Sequence, residues 1–67
     1  MIEIIVNGTR TAIGNEMNIN EMIKELEYTQ KGFALALNGT FVAISTYETT
    51  TIHDNDSIEI LAPVQGG

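Results

Sequence analysis

The chain closes on Gly66-Gly67, preceded by Pro63-Val64-Gln65. Glycine supplies about 7% of residues on average, so a pair at one given place arises by chance in roughly one chain in two hundred. A terminal diglycine has a physical use. With no Cβ, the last two residues can thread a narrow channel, and the terminal carbonyl stays open to an attacking or activating group. The chemistry on offer is acyl chemistry at the Gly67 carboxylate, with a frayed terminus as the plain alternative.

The remaining reactive side chains assemble nothing comparable. Side-chain catalysis needs a nucleophile beside a base, a metal cluster or a phosphate-binding loop. There is no cysteine and a single histidine, His53, which stands before a turn without a serine or cysteine partner in any recognisable motif. It reads as an exposed loop residue. The scattered carboxylates show no metal-ligand spacing, and the six glycines write neither a dinucleotide fingerprint nor a P-loop. Glu21, Glu25 and Glu27 read as a helix cap and a solvated face rather than as paired acid and base. The expectation is a carrier acted on by other proteins, not an enzyme, with no bound cofactor and no metal.

Composition narrows the partners. Nine acidic against three basic residues give a formal charge of −6, which repels nucleic-acid phosphates and anionic membrane surfaces. A protein with a basic docking face is the natural complement, because opposite fields speed encounter; acidity that merely keeps a small protein soluble explains the charge equally well. No apolar run approaches the roughly 20 residues of a membrane helix, and the first residues lack the pattern of a signal peptide. The expected location is the cytoplasm.

Sixty-seven residues build one core, and it must hold together by packing, since no disulfide or metal staples it. Ile2, Ile4, Ile5, Val6, Ile13, Ile58 and Ile60 supply the β-branched content of a compact mixed sheet. Met1 to Val6 reads as a strand, Asn7-Gly8 as a two-residue hairpin turn, and Thr9 to Ile13 as the return arm. Asn18 with Glu21 three residues later predicts a capped helix start. Ile19, Met22, Ile23 and Leu26 then form one apolar stripe, and the helix is expected to end near Tyr28 with Gly32 available as a terminator. Phe33 to Leu37 alternates bulky and small residues, as a strand with one flat face. Asn38-Gly39 turns it into Thr40 to Ile44. Ser45 to Ile52 shows no period and reads as irregular. Asp54-Asn55-Asp56 marks a turn before a last strand, Ser57 to Leu61, with Ile58 and Ile60 on one face. The order ββαβββ, with a single helix covering one face, predicts an α+β roll whose first and last strands pair in parallel at the centre. Residues 1–61 form the domain and 62–67 a flexible C-terminal tail, since Pro63 resists sheet pairing.

These residues together resemble the ubiquitin-like β-grasp sulfur carriers, and among them the carriers of thiamin biosynthesis. The resemblance spans the chain through Ile4-Ile5-Val6-Asn7-Gly8, the helix Ile19 to Leu26, Ala34-Leu35-Ala36-Leu37-Asn38-Gly39, Asp54-Asn55-Asp56-Ser57-Ile58-Glu59-Ile60 and the tail Pro63-Val64-Gln65-Gly66-Gly67. Two departures stand out. The family often has a proline and a basic residue where this chain has Val42-Ala43-Ile44-Ser45, and often a glycine where Asn55 stands; asparagine also tolerates the left-handed conformation the turn needs.

The resemblance implies a β-grasp fold with a mixed sheet of four to five strands and one main helix. It also implies a cycle. A ubiquitin-activating-like enzyme uses ATP to adenylate Gly67, a sulfur donor protein displaces AMP to leave a thiocarboxylate, and thiazole synthase takes the sulfur. Gly66, Gln65, Val64 and Pro63 would enter the partner with Gly67. Docking is expected on the uncovered sheet face, with Phe41, Leu61 and Val64 as candidates. The small subunit of molybdopterin synthase and a ubiquitin-like protein modifier would use the same terminal chemistry, and a structural β-grasp interaction module would use none.

Overall fold

The computed structural model describes residues 1–29 and 32–61. Asn7 (φ 49°), Gly8 (φ 83°), Asn38 (φ 51°) and Gly39 (φ 84°) all lie in the left-handed region, the requirement of the two-residue turns whose twist matches paired strands. The first turn joins β1 (Ile2–Val6) to β2 (Thr9–Ile13), and the second joins β4 (Ala34–Leu37) to β5 (Thr40–Val42). Between the hairpins run a two-residue strand β3 (Met17–Asn18) and helix α1 (Ile19–Glu25). After β5 come a single 3-10 turn (Ile44–Thr46), a two-residue β6 (Thr51–Ile52) and β7 (Ser57–Leu61).

The main sheet has the order β2-β1-β7-β4-β5, with β1 and β7 parallel and the other neighbours antiparallel. The most apolar strands thus occupy the interior, and the edges fall to the hairpin arms. Ile4, Ile13, Leu35, Ile58 and Ile60 point from the sheet into the core, where Ile19 and Met22 of α1 meet them. This is the mixed α+β β-grasp architecture with one helix on one face.

Local signals explain the helix start. The Asn18 side chain accepts from the Glu21 amide at 2.8 Å, and Glu21 accepts from the Asn18 amide at 3.0 Å, a complete capping box. The end differs from the expectation near Tyr28. The helix stops at Glu25, Leu26 caps it, and Glu27 takes φ 57°. The Tyr28 amide then donates to the Ile23 carbonyl and the Glu27 amide to that of Lys24. That pair of bonds is the Schellman closure, so the terminator is Glu27 and not Gly32. Glu25 lies on the exposed face, as expected, and its carboxylate has a further role: it accepts from the Gly14 amide at 2.7 Å and ties the end of β2 to the helix.

Two further corrections concern the threonine-rich stretch. The strand expected to reach Ile44 ends at Val42, because the Ala43 carbonyl accepts both the amide and the hydroxyl of Thr46 and curls the chain into the 3-10 turn. The region read as irregular contains β6, which pairs antiparallel with β3 through Met17–Ile52 and Asn18–Thr51. Ile52 is thereby fully buried. The Ile19 amide, donating toward the carbonyls of Tyr47 and Thr50, docks the helix start on this segment.

Candidate functional site

The last described strand, β7, is gripped at both ends by the two hairpin asparagines. At its start, the Ser57 amide donates to Asn38 Oδ1 at 2.9 Å, and the Asn38 amide donates to the Ser57 carbonyl at 2.7 Å. At its end, the Ile60 amide donates to Asn7 Oδ1 at 2.8 Å, while Asn7 Nδ2 reaches the Ile60 carbonyl at 3.3 Å. Beyond the last backbone pairing of β1 with β7, the Asn7 carboxamide therefore continues the ladder as a side-chain imitation of a peptide group. Asparagine meets both demands at this place: it tolerates positive φ, and its carboxamide carries both an N–H donor group and a carbonyl acceptor. Sequence reading found these residues as turn formers and missed their hold on β7; the carboxamide chemistry of Asn in an Asn-Gly turn was the available signal.

The turn before β7 is built as tightly. Asn55 stands at φ 69°, the left-handed geometry that the turn needs and asparagine tolerates. Its amide donates to the Glu3 carbonyl at 2.7 Å, and the Glu3 amide donates to Asp54 Oδ1 at 2.8 Å. Asp56 accepts from the His53 amide at 2.7 Å and from Asn38 Nδ2 at 3.0 Å. His53 itself is exposed, with Nδ1 3.9 Å from Asp56. It sits in this loop as a surface residue beside a turn-forming carboxylate. Among the described residues, no three His, Cys, Asp or Glu side chains come together as a metal site.

Strand parity sorts the docking candidates. Ile58 and Ile60 face the core, so Ser57, Glu59 and Leu61 face the uncovered side of the sheet. Ala34 pairs with Leu61, and Ala36 lies between Glu59 on one side and Phe41 on the other. Phe41 is 68% exposed and Leu61 64%. The two alanines leave the sheet surface low between two projecting apolar side chains, and this shallow patch runs to the last described residue of β7. Farther across the same face, Arg10 Nη1 meets Glu3 Oε1 at 2.7 Å, an ion pair exposed on both sides. Screening by water limits such a pair to about 0–1 kcal/mol. Pro63, Val64, Gln65, Gly66 and Gly67 lie outside the described residues.

Comparison with known proteins places this geometry. A sequence model of the ThiS family matches residues 3–67. The chain is similar to the crystal structure of a thiamine biosynthesis protein (ThiS) from Geobacter metallireducens, with a TM-score of 0.87, 26% identity, and coverage of 98% of this chain and 100% of that one. The solution structure of a thiamine biosynthesis protein from the same organism superposes with a TM-score of 0.80 at 26% identity, covering 98% of this chain and 88% of that one. An uncharacterised protein, ycf40, from Porphyra purpurea is 26% identical over 66 residues, covering 98% of this chain and 93% of that protein. Among the described residues, no helix is long and apolar enough to cross a membrane.

Proposed function

The chain belongs to the ThiS family, and from that membership we propose that it is a sulfur carrier of thiamin biosynthesis, in which the Gly67 carboxylate is the working group. The observation that carries this reading is the reach of the family match. It runs to residue 67 and so takes in the terminal diglycine together with the fold. The ThiS match and the thiamine proteins it superposes on favour this pathway over the small subunit of molybdopterin synthase.

In the proposed cycle the carboxylate of Gly67 attacks the α-phosphate of ATP in a ubiquitin-activating-like enzyme. Pyrophosphate leaves, and a poor electrophile becomes a mixed anhydride. A sulfur donor protein supplies the nucleophile that displaces AMP, and the resulting thiocarboxylate delivers its sulfur to thiazole synthase. The carrier binds no cofactor, and ATP belongs to the partner. The cycle takes place in the cytoplasm.

Each part of the fold has a role in that reading. Asn7 and Asn38 hold β7 by its two ends, which fixes the point from which the tail departs. The patch of Phe41, Ala36, Ala34 and Leu61 is the docking surface, an exposed apolar area beside the exit. Pro63, Val64, Gln65, Gly66 and Gly67 enter the partner, and the two glycines fit where side chains would not.

Intact mass of the protein from its native host tests the proposal. A species carrying one sulfur in place of one oxygen at the C-terminus is the expected result under thiamin starvation. Covalent ladders on other proteins would instead identify a modifier, and a terminus that stays unmodified would leave only a structural module.

A further inference from the structure

On the helix side of the sheet, opposite Phe41 and Leu61, a cleft of about 360 Å³ opens between the end of α1, the residue before β4 and the 3-10 turn. Its volume lies within the range of roughly 300–1,000 Å³ typical of small-molecule sites. Ile23, Tyr28, Phe33, Ile44 and Tyr47 form its walls. The three rings stand in a row. Tyr28 meets Phe33 edge-on with centroids 4.9 Å apart, and Phe33 lies nearly parallel to Tyr47 at 6.4 Å.

Tyr47 is the unusual member. It is 4% exposed, and its hydroxyl is buried with no hydrogen-bond partner among the described residues. A buried tyrosine normally finds a partner for that group, because leaving it unpaired forfeits the bond it made with water. Desolvation also raises its pKa, so the phenol keeps its proton and offers it as a donor. Among the described residues that line the cleft there is no Lys, Arg, Asp or Glu, so these walls give an entering ion no counter-charge for the hydration it loses.

We infer that this cleft binds a small, neutral aromatic molecule with one hydrogen-bond acceptor, its ring against Phe33 and its acceptor on the Tyr47 hydroxyl. The apolar walls take the ring, and the unpaired donor selects a carbonyl or ring nitrogen. Because neighbouring side chains screen the hydroxyl from water, a ligand reaches it by a side-chain rearrangement of the kind common on binding. Ile44, 71% exposed on a single 3-10 turn, is the most exposed apolar side chain among the walls of the cleft.

Titration of the full-length, nitrogen-15-labelled protein with acetophenone tests this, read as amide shifts in a two-dimensional NMR spectrum. Saturable shifts confined to the amides around Ile23, Phe33, Ile44 and Tyr47 are expected. Tyr47→Phe keeps the ring and removes the donor, and it should weaken binding about three- to tenfold, the worth of one neutral hydrogen bond. If that variant fails to fold, the same comparison is made on the unaltered protein with α-methylstyrene, which replaces the carbonyl oxygen by a methylene within the same outline. It should bind weaker by a similar factor. Absence of saturable shifts at these amides overturns the inference. So does α-methylstyrene binding as tightly as acetophenone, or tighter binding by benzoate or benzylammonium. None of these outcomes bears on the chemistry at Gly67.

Discussion

Gly67 is the residue on which the proposed function rests, and as a glycine it has no side chain to bury. Among the described residues the nine core side chains lie between Ile4 and Ile60, and a glycine contributes no side chain to pack. Deleting Gly67 should therefore leave the thermal midpoint within about a degree or two of the parent, since losing a residue that has no side chain to pack should cost less than ~0.5 kcal/mol. Activation should be lost. Pyrophosphate exchange catalysed by the adenylating enzyme reads this directly, because a carboxylate one residue short cannot reach the nucleotide. Appending one alanine after Gly67 should be as damaging, by moving the reactive carbonyl out of register and adding a Cβ to the channel. Exchange at the parent rate by either variant would sink the carrier reading.

At the scale of elements, α1 is a seven-residue helix, far below the ~12–15 residues at which isolated helices become even marginal in water. Its start is held by the reciprocal bonds of Asn18 and Glu21, and its stripe by burial of Ile19 and Met22. Asn18→Ala should cost about 1 kcal/mol, and Asn18→Ser much less, because serine can still accept from the Glu21 amide. Urea denaturation measures both; the midpoint should fall with an unchanged slope. A loss near zero for the alanine variant would mean that packing alone fixes the helix start.

The elements that were legible in the sequence are those specified by neighbouring residues. Asn7-Gly8, Asn38-Gly39, the capping box and the alternation of Ser57 to Leu61 each state a geometry within a few positions. The parallel pairing of β1 with β7 followed from their apolar content. What escaped was decided by tertiary contact. Two-residue strands such as β3 and β6 have no period, and Ile52, paired with Met17, is buried within a core drawn from distant positions. The Ser45 to Ile52 stretch looked irregular because its threonines bond locally: the hydroxyls of Thr49 and Thr50 both donate to the Thr46 carbonyl. Glu27 hid the helix end, since a non-glycine residue with left-handed φ is disfavoured by roughly 1–2 kcal/mol. The Schellman bonds from Glu27 and Tyr28 offset that cost here. Toward the site, residue type singled out the terminal glycines, and Phe41 and Leu61, expected on the uncovered sheet face, are exposed there. The asparagine grip on β7 and the Tyr47 cleft were not, because both join positions far apart in the chain.

Seen as a whole, the molecule presents different surfaces on its two sides, carrying a formal charge of −6. One side is the helix with its capped and tethered carboxylates, and the other is the uncovered sheet with Phe41 on β5 and Leu61 at the end of β7. Long-range charge and the short-range patch should act on different kinetic constants. If the activating partner docks through a basic surface, its association rate should fall steeply as ionic strength rises, because charges beyond about 8–10 Å are screened at physiological salt. The apolar patch acts at contact and is insensitive to salt. Phe41→Thr keeps a β-branched residue on edge strand β5 and removes the projecting ring, so the fold should hold with a stability change within about 0.5 kcal/mol. The same change should lower kcat/KM for adenylation about tenfold or more, equivalent to ~1.4 kcal/mol, as truncation of an aromatic anchor does at a protein interface. Stopped-flow association across a salt series, run on the parent and the Phe41→Thr variant, separates the two contributions. The salt slopes should be parallel and the variant's dissociation faster. An unchanged kcat/KM in a folded Phe41→Thr protein would move the docking surface off this face of the sheet.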